Sequence, residues 1–188
     1  MNLAIFASGS GSNAEKFFEY FRDKPDKHVS LILTNKQDAF VIERAKRNHV
    51  PFEVFNRQQF YESNHVLETL KRNQIDLIVL AGFLWKVPDN LIEAYPNRII
   101  NIHPALLPKF GGKGMYGKYV HQAVIEAGEE ESGITIHYVN QNYDEGKIIF
   151  QVSCKVIPSD TPETLAKKVQ MLEHEHYPKI VEKISMNI

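Results

Sequence analysis

Short apolar runs alternate along the first half of the chain with segments whose apolar residues recur at helical spacing. The runs predicted as strands are Leu3–Ala7, Val29–Thr34, Pro51–Phe55, Ile75–Ala81 and Ile99–His103. The predicted helices between them are the segment that carries Phe17, Phe18 and Phe21, then Ala39–Asn48, Gln58–Asn73 and Asp89–Ala94. Strands that alternate with helices predict a parallel sheet with helices on both of its faces.

The second half of the chain departs from this alternation. A helix is predicted from about Lys118 to Ala127, and two strands follow at Gly133–Val139 and Lys147–Ile157 with no helix between them. These two strands are expected to pair antiparallel at one edge of the sheet. A last helix, capped by Thr161, is predicted to run to about Lys183.

The whole pattern predicts an α/β fold: a Rossmann-like, mostly parallel twisted sheet with an antiparallel edge. We interpret residues 1–188 as a single domain.

A glycine-rich turn follows the first predicted strand. It reads Ser8-Gly9-Ser10-Gly11-Ser12-Asn13 and leads directly into a helix. Backbone N–H groups and the positive end of a helix dipole converge in such a turn, which therefore favours anions. The turn lacks the Lys of a Walker loop and the spacing of a full dinucleotide fingerprint. A phosphate site and a serine-rich helix cap both explain it.

Two polar side chains end the fifth predicted strand. Asn101 and His103 alternate with Ile100 and Ile102, so both project from the same face. Pro104 cannot donate to a strand ladder and ends the strand there. An amide and an imidazole at the end of an apolar strand are costly to bury without a polar partner. They are therefore either satisfied core groups or part of a site.

Two further loops could border such a site. The segment Gly82–Pro88 carries Phe83, Leu84 and Trp85, which could either form a wall for a flat heteroaromatic ligand or fold onto the core. The segment Gly111–Gly117 has four glycines in seven residues and is predicted to be a mobile loop.

Composition excludes several classes of function. The chain has a net charge of −1 and no run of basic residues, which argues against a nucleic-acid surface. It shows no signal peptide and no apolar stretch of membrane-spanning length. Its single cysteine, Cys154, rules out an internal disulfide. His174 and His176 lie two positions apart on a predicted helix and point in different directions, so they do not form a metal-binding pair. These features predict a cytoplasmic protein without a metal.

Five motifs of the chain match one family in order. They are Ser8–Asn13, Leu80–Phe83, Asn101–Pro108, Gly133–Val139 and Tyr143–Gly146. The chain resembles the folate-dependent formyltransferases, and most closely the branch that formylates glycinamide ribonucleotide in purine biosynthesis. The resemblance implies 10-formyltetrahydrofolate as co-substrate, glycinamide ribonucleotide as acceptor, and no metal. By the same resemblance, the half at about residues 1–100 is expected to bind the phosphate and the ribonucleotide, and the half at about residues 101–188 is expected to carry the catalytic residues and to bind the folate. The resemblance leaves open whether the protein is a monomer or a homodimer.

The resemblance also implies roles for individual residues. The catalytic residues are expected to be Asn101, His103 and Asp144. Substrate binding is expected from Gly9, Ser10, Gly11, Ser12 and Asn13, which would hold the phosphate, and from Glu173, which would lie near the glycinamide end. Folate binding is expected from Leu84, Trp85, Lys86, Val87, Asn140 and Tyr143.

The chemistry of formyl transfer suits these residue types. Transfer to an amine passes through a tetrahedral oxyanion, which Asn101 and a cationic His103 could both stabilise as donors. Asp144 is expected to raise the pKa of His103 and to relay the amine proton through a water.

Two alternatives remain beside formyl transfer. A 10-formyltetrahydrofolate hydrolase commonly has a second His after the catalytic one, where this chain has Pro104. Hydrolases also tend to carry a regulatory domain, and methionyl-tRNA formyltransferases a tRNA-binding domain, neither of which is expected here. A non-catalytic nucleotide-binding module would use the Ser8–Asn13 turn and would not require Asn101, His103 and Asp144 to converge.

Overall fold

A computed structural model of the chain describes residues 1–186. The strands are β1 (Asn2–Phe6), β2 (His28–Thr34), β3 (Phe52–Val54), β4 (Leu77–Leu80), β5 (Ile99–His103), β6 (Glu131–Tyr138) and β7 (Ile148–Lys155). The helices are α1 (Ser12–Phe21), α2 (Val41–Arg47), α3 (Arg57–Tyr61), α4 (His65–Arg72), α5 (Asp89–Ala94), α6 (Lys118–Glu126) and α7 (Pro162–Ser185).

The seven strands form one sheet in the order β3-β2-β1-β4-β5-β6-β7. Strand β1 pairs parallel with both β2 and β4, and β2 pairs parallel with β3. Strands β6 and β7 pair antiparallel and end the sheet at one side. The predicted fold class, a mostly parallel sheet with an antiparallel edge, is confirmed. Strand order reverses between β1 and β4, the position at which sheets of this kind bind ligands.

The chain divides into two compact units, one formed mainly by Met1–Ile100 and the other by Asn101–Ile184. The core of the first unit is built on β1 and β4, whose residues Leu3–Phe6 and Leu77–Leu80 are all buried. Helix α1 covers this core with Phe17, Phe18 and Phe21, as its helical spacing predicts. The second unit buries Ile134 and Ile136 of β6 and Leu165 and Val169 of α7.

One predicted helix is in fact two. The expected helix Gln58–Asn73 is divided into α3 and α4, with Glu62–Asn64 between them. The Ser63 hydroxyl donates to the carbonyl of Gln59 at 3.1 Å and accepts from the backbone N–H of His65 at 3.2 Å. A hydroxyl that takes over backbone hydrogen bonds in this way ends one helix and begins the next.

Candidate active site

Asn101, His103 and Asp144 come together in the second unit. Asn101 and His103 lie on β5, and Asp144 lies in the turn between β6 and β7. Asp144 Oδ2 is 3.6 Å from His103 Nδ1, and Asp144 Oδ1 is 3.5 Å from Asn101 Nδ2. The side chains of His103 and Asp144 are only 4% and 11% exposed, so water screens their interaction weakly.

His137 completes this cluster. Its Nε2 lies 3.1 Å from Asn101 Nδ2 and 3.6 Å from Asp144 Oδ1, and its side chain is 3% exposed. Asp144 therefore lies between two buried imidazoles, His103 on one carboxylate oxygen and His137 on the other. We refer to Asn101, His103, His137 and Asp144 as the β5–β6 cluster.

The chain after β5 also contacts the cluster. His103 Nε2 donates to the carbonyl of Phe110 at 2.8 Å, and the backbone N–H of Gly112 donates to Asp144 Oδ2 at 2.9 Å. The loop predicted to be mobile thus begins with two hydrogen bonds to the candidate catalytic residues. The Nε2 of His103 is therefore occupied by the Phe110 carbonyl in this structure.

A buried network fixes the segment that follows His103. The hydroxyl of Thr135, on β6, donates to the carbonyl of Ala105 at 2.7 Å and accepts from the N–H of Leu107 at 2.9 Å. Gln151, which pairs with Thr135 across β6 and β7, donates to the carbonyl of Leu107 at 3.0 Å. Hydrogen bonds that are fully buried and satisfied hold a loop in one position, and this network holds the exit of β5.

Asp144 is held as a carboxylate. Burial is the largest influence and by itself raises its pKa, but the adjacent imidazoles of His137 and His103 and the N–H of Gly112 together lower the pKa below its usual value. Its backbone has a φ of 55°, a conformation that Asp tolerates better than most residues.

The expected cationic state of His103 is not what the structure favours. Burial is the largest influence on this imidazole and lowers its pKa, and the charge of His137 acts in the same direction. Asp144 and the Phe110 carbonyl raise the pKa of His103 but do not outweigh burial. Because a buried imidazolium is costly, this environment favours the neutral form of His103.

The family sequence model described as formyl transferase matches residues 1–181. The chain belongs to this family. Its β5–β6 cluster lies within the matched residues, and so do the Ser8–Asn13 turn and Glu173.

Named relatives of this chain and solved structures similar to it agree with the family assignment. A chloroplastic phosphoribosylglycinamide formyltransferase of Arabidopsis thaliana is 45% identical over 185 residues, which are 95% of this chain and 63% of that protein. A phosphoribosylglycinamide formyltransferase of Bacillus subtilis (strain 168) is 36% identical over 97% of this chain and 93% of that protein. The chain therefore spans less than two thirds of the plant protein and nearly all of the bacterial one.

Two solved structures share the fold over nearly the whole chain. The phosphoribosylglycinamide formyltransferase from Anaplasma phagocytophilum superposes with a TM-score of 0.91 at 32% identity, covering 99% of this chain and 87% of that one. The enzyme of the same name from Bacillus halodurans gives a TM-score of 0.88 at 38% identity, covering 98% and 95%. The agreement includes the mixed sheet described above.

The Ser8–Asn13 turn lies at the carboxyl end of β1. Gly11 is the N-cap of α1 with a φ of 68°, and within the described chain no side chain caps this helix. A Cβ at Gly11 would lie 2.6 Å from Val41 Cγ2, so the turn packs tightly against α2. The absence of a side-chain cap, in the part of the chain that is described, disfavours the interpretation of the serines as a helix cap.

Ser8 ties this turn to the loop after β4. Its hydroxyl donates to Asn35 Oδ1 at 2.7 Å and accepts from the N–H of Leu84 at 3.1 Å. Its own N–H donates to the carbonyl of Gly82 at 3.0 Å. The loops at the ends of β1 and β4, where strand order reverses, are thereby held together, with Gly9 and Ser10 left exposed.

The residues expected to bind folate lie in different environments. Trp85 is half-buried and packs with Phe55, Phe60, Tyr61 and Phe83, so its ring extends the aromatic core. Leu84 is 43% exposed, Lys86 is exposed and Val87 is buried.

The other predicted binding residues lie in the second unit. Asn140 is half-buried and accepts from the N–H of Asn142, and Tyr143 is 40% exposed. Glu173 is half-buried on α7, where its charge adds to the burial that raises the pKa of Tyr177.

Sequence reasoning did not include His137 or His121 among the site residues. His121 lies on α6, is 6% exposed, and interacts electrostatically with His103. The sequence contained a signal for His137, because this residue shares a strand face with Thr135 and Val139. A polar residue at the end of a strand beside β5 could have been recognised as part of the site.

Among the described residues no group of three or more His, Cys, Asp or Glu side chains is arranged to hold a metal, and no described helix is long and apolar enough to span a membrane.

Proposed function

We propose that this formyl transferase transfers the formyl group of 10-formyltetrahydrofolate to the amine of glycinamide ribonucleotide, a step of purine biosynthesis. The observation that carries the proposal is the convergence of Asn101, His103 and Asp144 within 3.6 Å contacts in a buried cluster. Relatives that cover nearly the whole chain and are named phosphoribosylglycinamide formyltransferase support it. A cytoplasmic location of the protein remains a prediction, since two plant relatives are named as chloroplastic.

Each residue of the trio has a role in this chemistry. The amine attacks the formyl carbon, and an N–H of Asn101 stabilises the oxyanion that forms. His103, neutral at rest, takes up the proton that the attacking amine loses, relayed through a water held by Asp144, and the Asp144 carboxylate stabilises the imidazolium while it donates to the oxyanion. When the oxyanion collapses, the bond between the formyl carbon and N10 of the folate breaks, and His103 returns the proton to N10 as tetrahydrofolate leaves.

The two substrates are assigned to residues in both units. We propose that Gly9, Ser10, Gly11, Ser12 and Asn13 bind the ribonucleotide phosphate, because the turn ends β1 at the reversal of strand order and leads into the N-terminus of α1. Glu173 is proposed to bind the glycinamide end. The folate is proposed to contact Leu84, Trp85, Lys86, Val87, Asn140 and Tyr143, with the half-buried Trp85 contributing the part of its ring that the aromatic core leaves exposed.

The test is steady-state turnover of the purified protein with 10-formyltetrahydrofolate, followed by folate absorbance. We expect turnover that requires glycinamide ribonucleotide and falls at least ~100-fold in kcat/KM when glycinamide without the ribose phosphate replaces it, a loss of about 2.7 kcal/mol. Turnover without any amine acceptor would instead indicate a hydrolase. Binding of the ribonucleotide with no turnover at all would indicate a non-catalytic module.

A further inference from the structure

The hydrogen bonds of His137 fix its tautomer. Its Nδ1 lies 2.9 Å from the backbone carbonyl of Tyr138, and a carbonyl oxygen can only accept. Nδ1 therefore carries a proton, and in a neutral imidazole Nε2 is left with its lone pair. That lone pair faces Asn101 Nδ2 at 3.1 Å and accepts from it.

The turn between β6 and β7 holds the carbonyl that fixes this tautomer. A Cβ added at Gly146 would lie 1.6 Å from the carbonyl oxygen of Tyr138 and 3.5 Å from His137 Nδ1. Only glycine allows the turn to pass this close, so the turn confines the Tyr138 carbonyl to the position in which it accepts from His137. The Nδ1–H tautomer is thus imposed by the backbone.

A neutral His137 in this tautomer distinguishes the two ends of the Asn101 amide. With Nδ2 toward the ring, the amide donates to a lone pair, whereas a rotation of 180° would put Oδ1 against that same lone pair. Nδ2 has two hydrogens, and the second points toward Asp144, whose Oδ1 is 3.5 Å away. That distance is too long for a firm hydrogen bond, so the second N–H remains available to a substrate oxygen.

We propose that His137 is a positioning residue that holds the Asn101 amide with its N–H, and not its carbonyl, directed to the developing oxyanion. The inference rests on the proposed function, because the oxyanion is that of the formyl group in transfer. Two ionisable groups of the same cluster, Asp144 and His103, interact with His137.

Kinetics of two His137 variants provide the first test. His137→Phe, which has no acceptor, is expected to lower kcat about 10-fold and to leave KM within about 2-fold. The loss is smaller than that for deleting an oxyanion donor, roughly 100-fold, because Asn101 is retained and only its preferred orientation is lost. His137→Gln, whose amide oxygen can accept from Asn101, is expected to restore most of kcat.

A matched control and two opposing results make this test decisive. His28→Gln replaces an exposed histidine on β2 and should leave kcat and the pH profile as in the wild type. If His137→Gln loses as much kcat as His137→Phe, or if the loss in His137→Phe appears in KM and not in kcat, the proposal is overturned. A role confined to packing would lower stability and leave kcat of the folded variants unchanged.

Ring nitrogen spectra provide a test that does not depend on turnover. In long-range proton–nitrogen spectra of the wild type at pH 8, the His137 signals, identified by their loss in His137→Phe, should show a protonated Nδ1 and an unprotonated Nε2. The side-chain amide signals of Asn101 should shift in the same variant. An Nε2–H tautomer, or Asn101 signals that do not shift, would overturn the inference. If the wild type transfers no formyl group the proposed function fails, while these spectra still decide whether His137 orients Asn101.

Discussion

Asp144 interacts with both imidazoles of the β5–β6 cluster, and its charge determines what each imidazole can do. Its pKa lies below the usual value, because contacts with His137, His103 and Gly112 outweigh burial, which would raise it. The carboxylate is therefore ionised throughout the neutral range, and it becomes protonated only as the pH falls through that lowered pKa. Activity that needs the charge should be lost over the same range.

Asp144→Asn should consequently impair the chemical step. The fold should survive, because the side chains are nearly isosteric and Asn tolerates a φ of 55°. We expect kcat to fall at least ~100-fold with KM for both substrates largely unchanged, the scale for losing a proton relay or a charge partner. The acid limb assigned to Asp144 should weaken, which stopped-flow or steady-state pH profiles can measure. A raised KM for the folate with a wild-type kcat would make Asp144 a binding residue instead.

The sequence identified the candidate catalytic residues better than it identified the residues that contact them. Asn101 and His103 could be placed on one face from strand alternation alone, and the resemblance added Asp144. The contact between Asn101 and His137 joins residues 36 positions apart. It depends on how β5 and β6 lie in the sheet, which no local pattern specifies. The burial that lowers the pKa of His103 is likewise a property of the assembled unit.

Among the elements, the turn between β1 and α1 has the strictest backbone requirement. Gly11 combines a φ of 68° with a contact in which a Cβ would lie 2.6 Å from Val41 Cγ2, and that contact is with the rigid start of α2. Gly9, two residues earlier, has no atom within 4 Å of its Cβ position. The two glycines therefore offer a matched pair in one turn.

Gly11→Ala should destabilise the protein while Gly9→Ala should not. For Gly11→Ala we expect the free energy of unfolding to fall by about 1–3 kcal/mol, the scale of a strained left-handed residue or an overpacked contact. For Gly9→Ala a change within about 0.5 kcal/mol is expected. Urea denaturation of both variants measures this. Equal effects of the two substitutions would show that Val41 moves aside at little cost.

The glycine-rich loop after β5 is the element most closely coupled to the cluster. Its first residues are bonded to the cluster, Phe110 through its carbonyl and Gly112 through its N–H. A Cβ at Gly111 would lie 2.5 Å from Leu107 Cδ2, so this part of the loop fits closely, whereas Gly112, Gly114 and Gly117 have open space around them. The remainder, with its glycines, keeps high entropy until something orders it.

Binding of both substrates should order this loop. We expect amide hydrogen exchange in Gly111–Gly117 to slow by at least ~10-fold when glycinamide ribonucleotide and a non-reactive folate analogue are bound together. Exchange in β6, which is part of the sheet, serves as the internal reference. Exchange in the loop that is the same with and without the ligands would exclude its role as a lid.

The order of elements could be predicted from the sequence, and two kinds of detail could not. The five strands of the first half and the antiparallel pair were predicted because apolar runs and helical spacing are local signals. The division of α3 from α4 was missed because it depends on the Ser63 hydroxyl bonding to Gln59 and His65. Packing of Trp85 into the aromatic core, which the sequence left open, depends on residues from Phe55 to Phe83 meeting in space.

For the molecule as a whole, buried histidines link stability to pH. The pKa of His103 is lowered by burial, against Asp144 and Phe110, and the pKa of His121 is lowered by burial and by His103. The unfolded chain binds protons on these imidazoles near pH 6.5, above the pH at which the folded protein does. Their contribution to stability is therefore fully present above about pH 6.5 and is lost as the pH falls toward the lowered folded values.

His121 allows this linkage to be measured at one residue. Its Nδ1 is buried without a hydrogen-bond partner among the described residues, so the imidazole is desolvated even when neutral. His121→Leu removes both that cost and the acid titration. At pH 7.5 we expect the free energy of unfolding of the variant to equal that of the wild type or to exceed it by about 1 kcal/mol, since an unsatisfied polar group is removed. Between pH 7.5 and 5.5 the wild type should lose more stability than His121→Leu. The reason is that only the wild type has an imidazole at this position, which the unfolded chain protonates more readily than the folded protein does.

The control is His28→Gln, at an exposed position, which should follow the wild-type curve. Urea denaturation at the two pH values measures the difference directly. An equal loss of stability in the wild type and His121→Leu would mean that His121 takes up its proton as easily in the folded protein as in the unfolded chain.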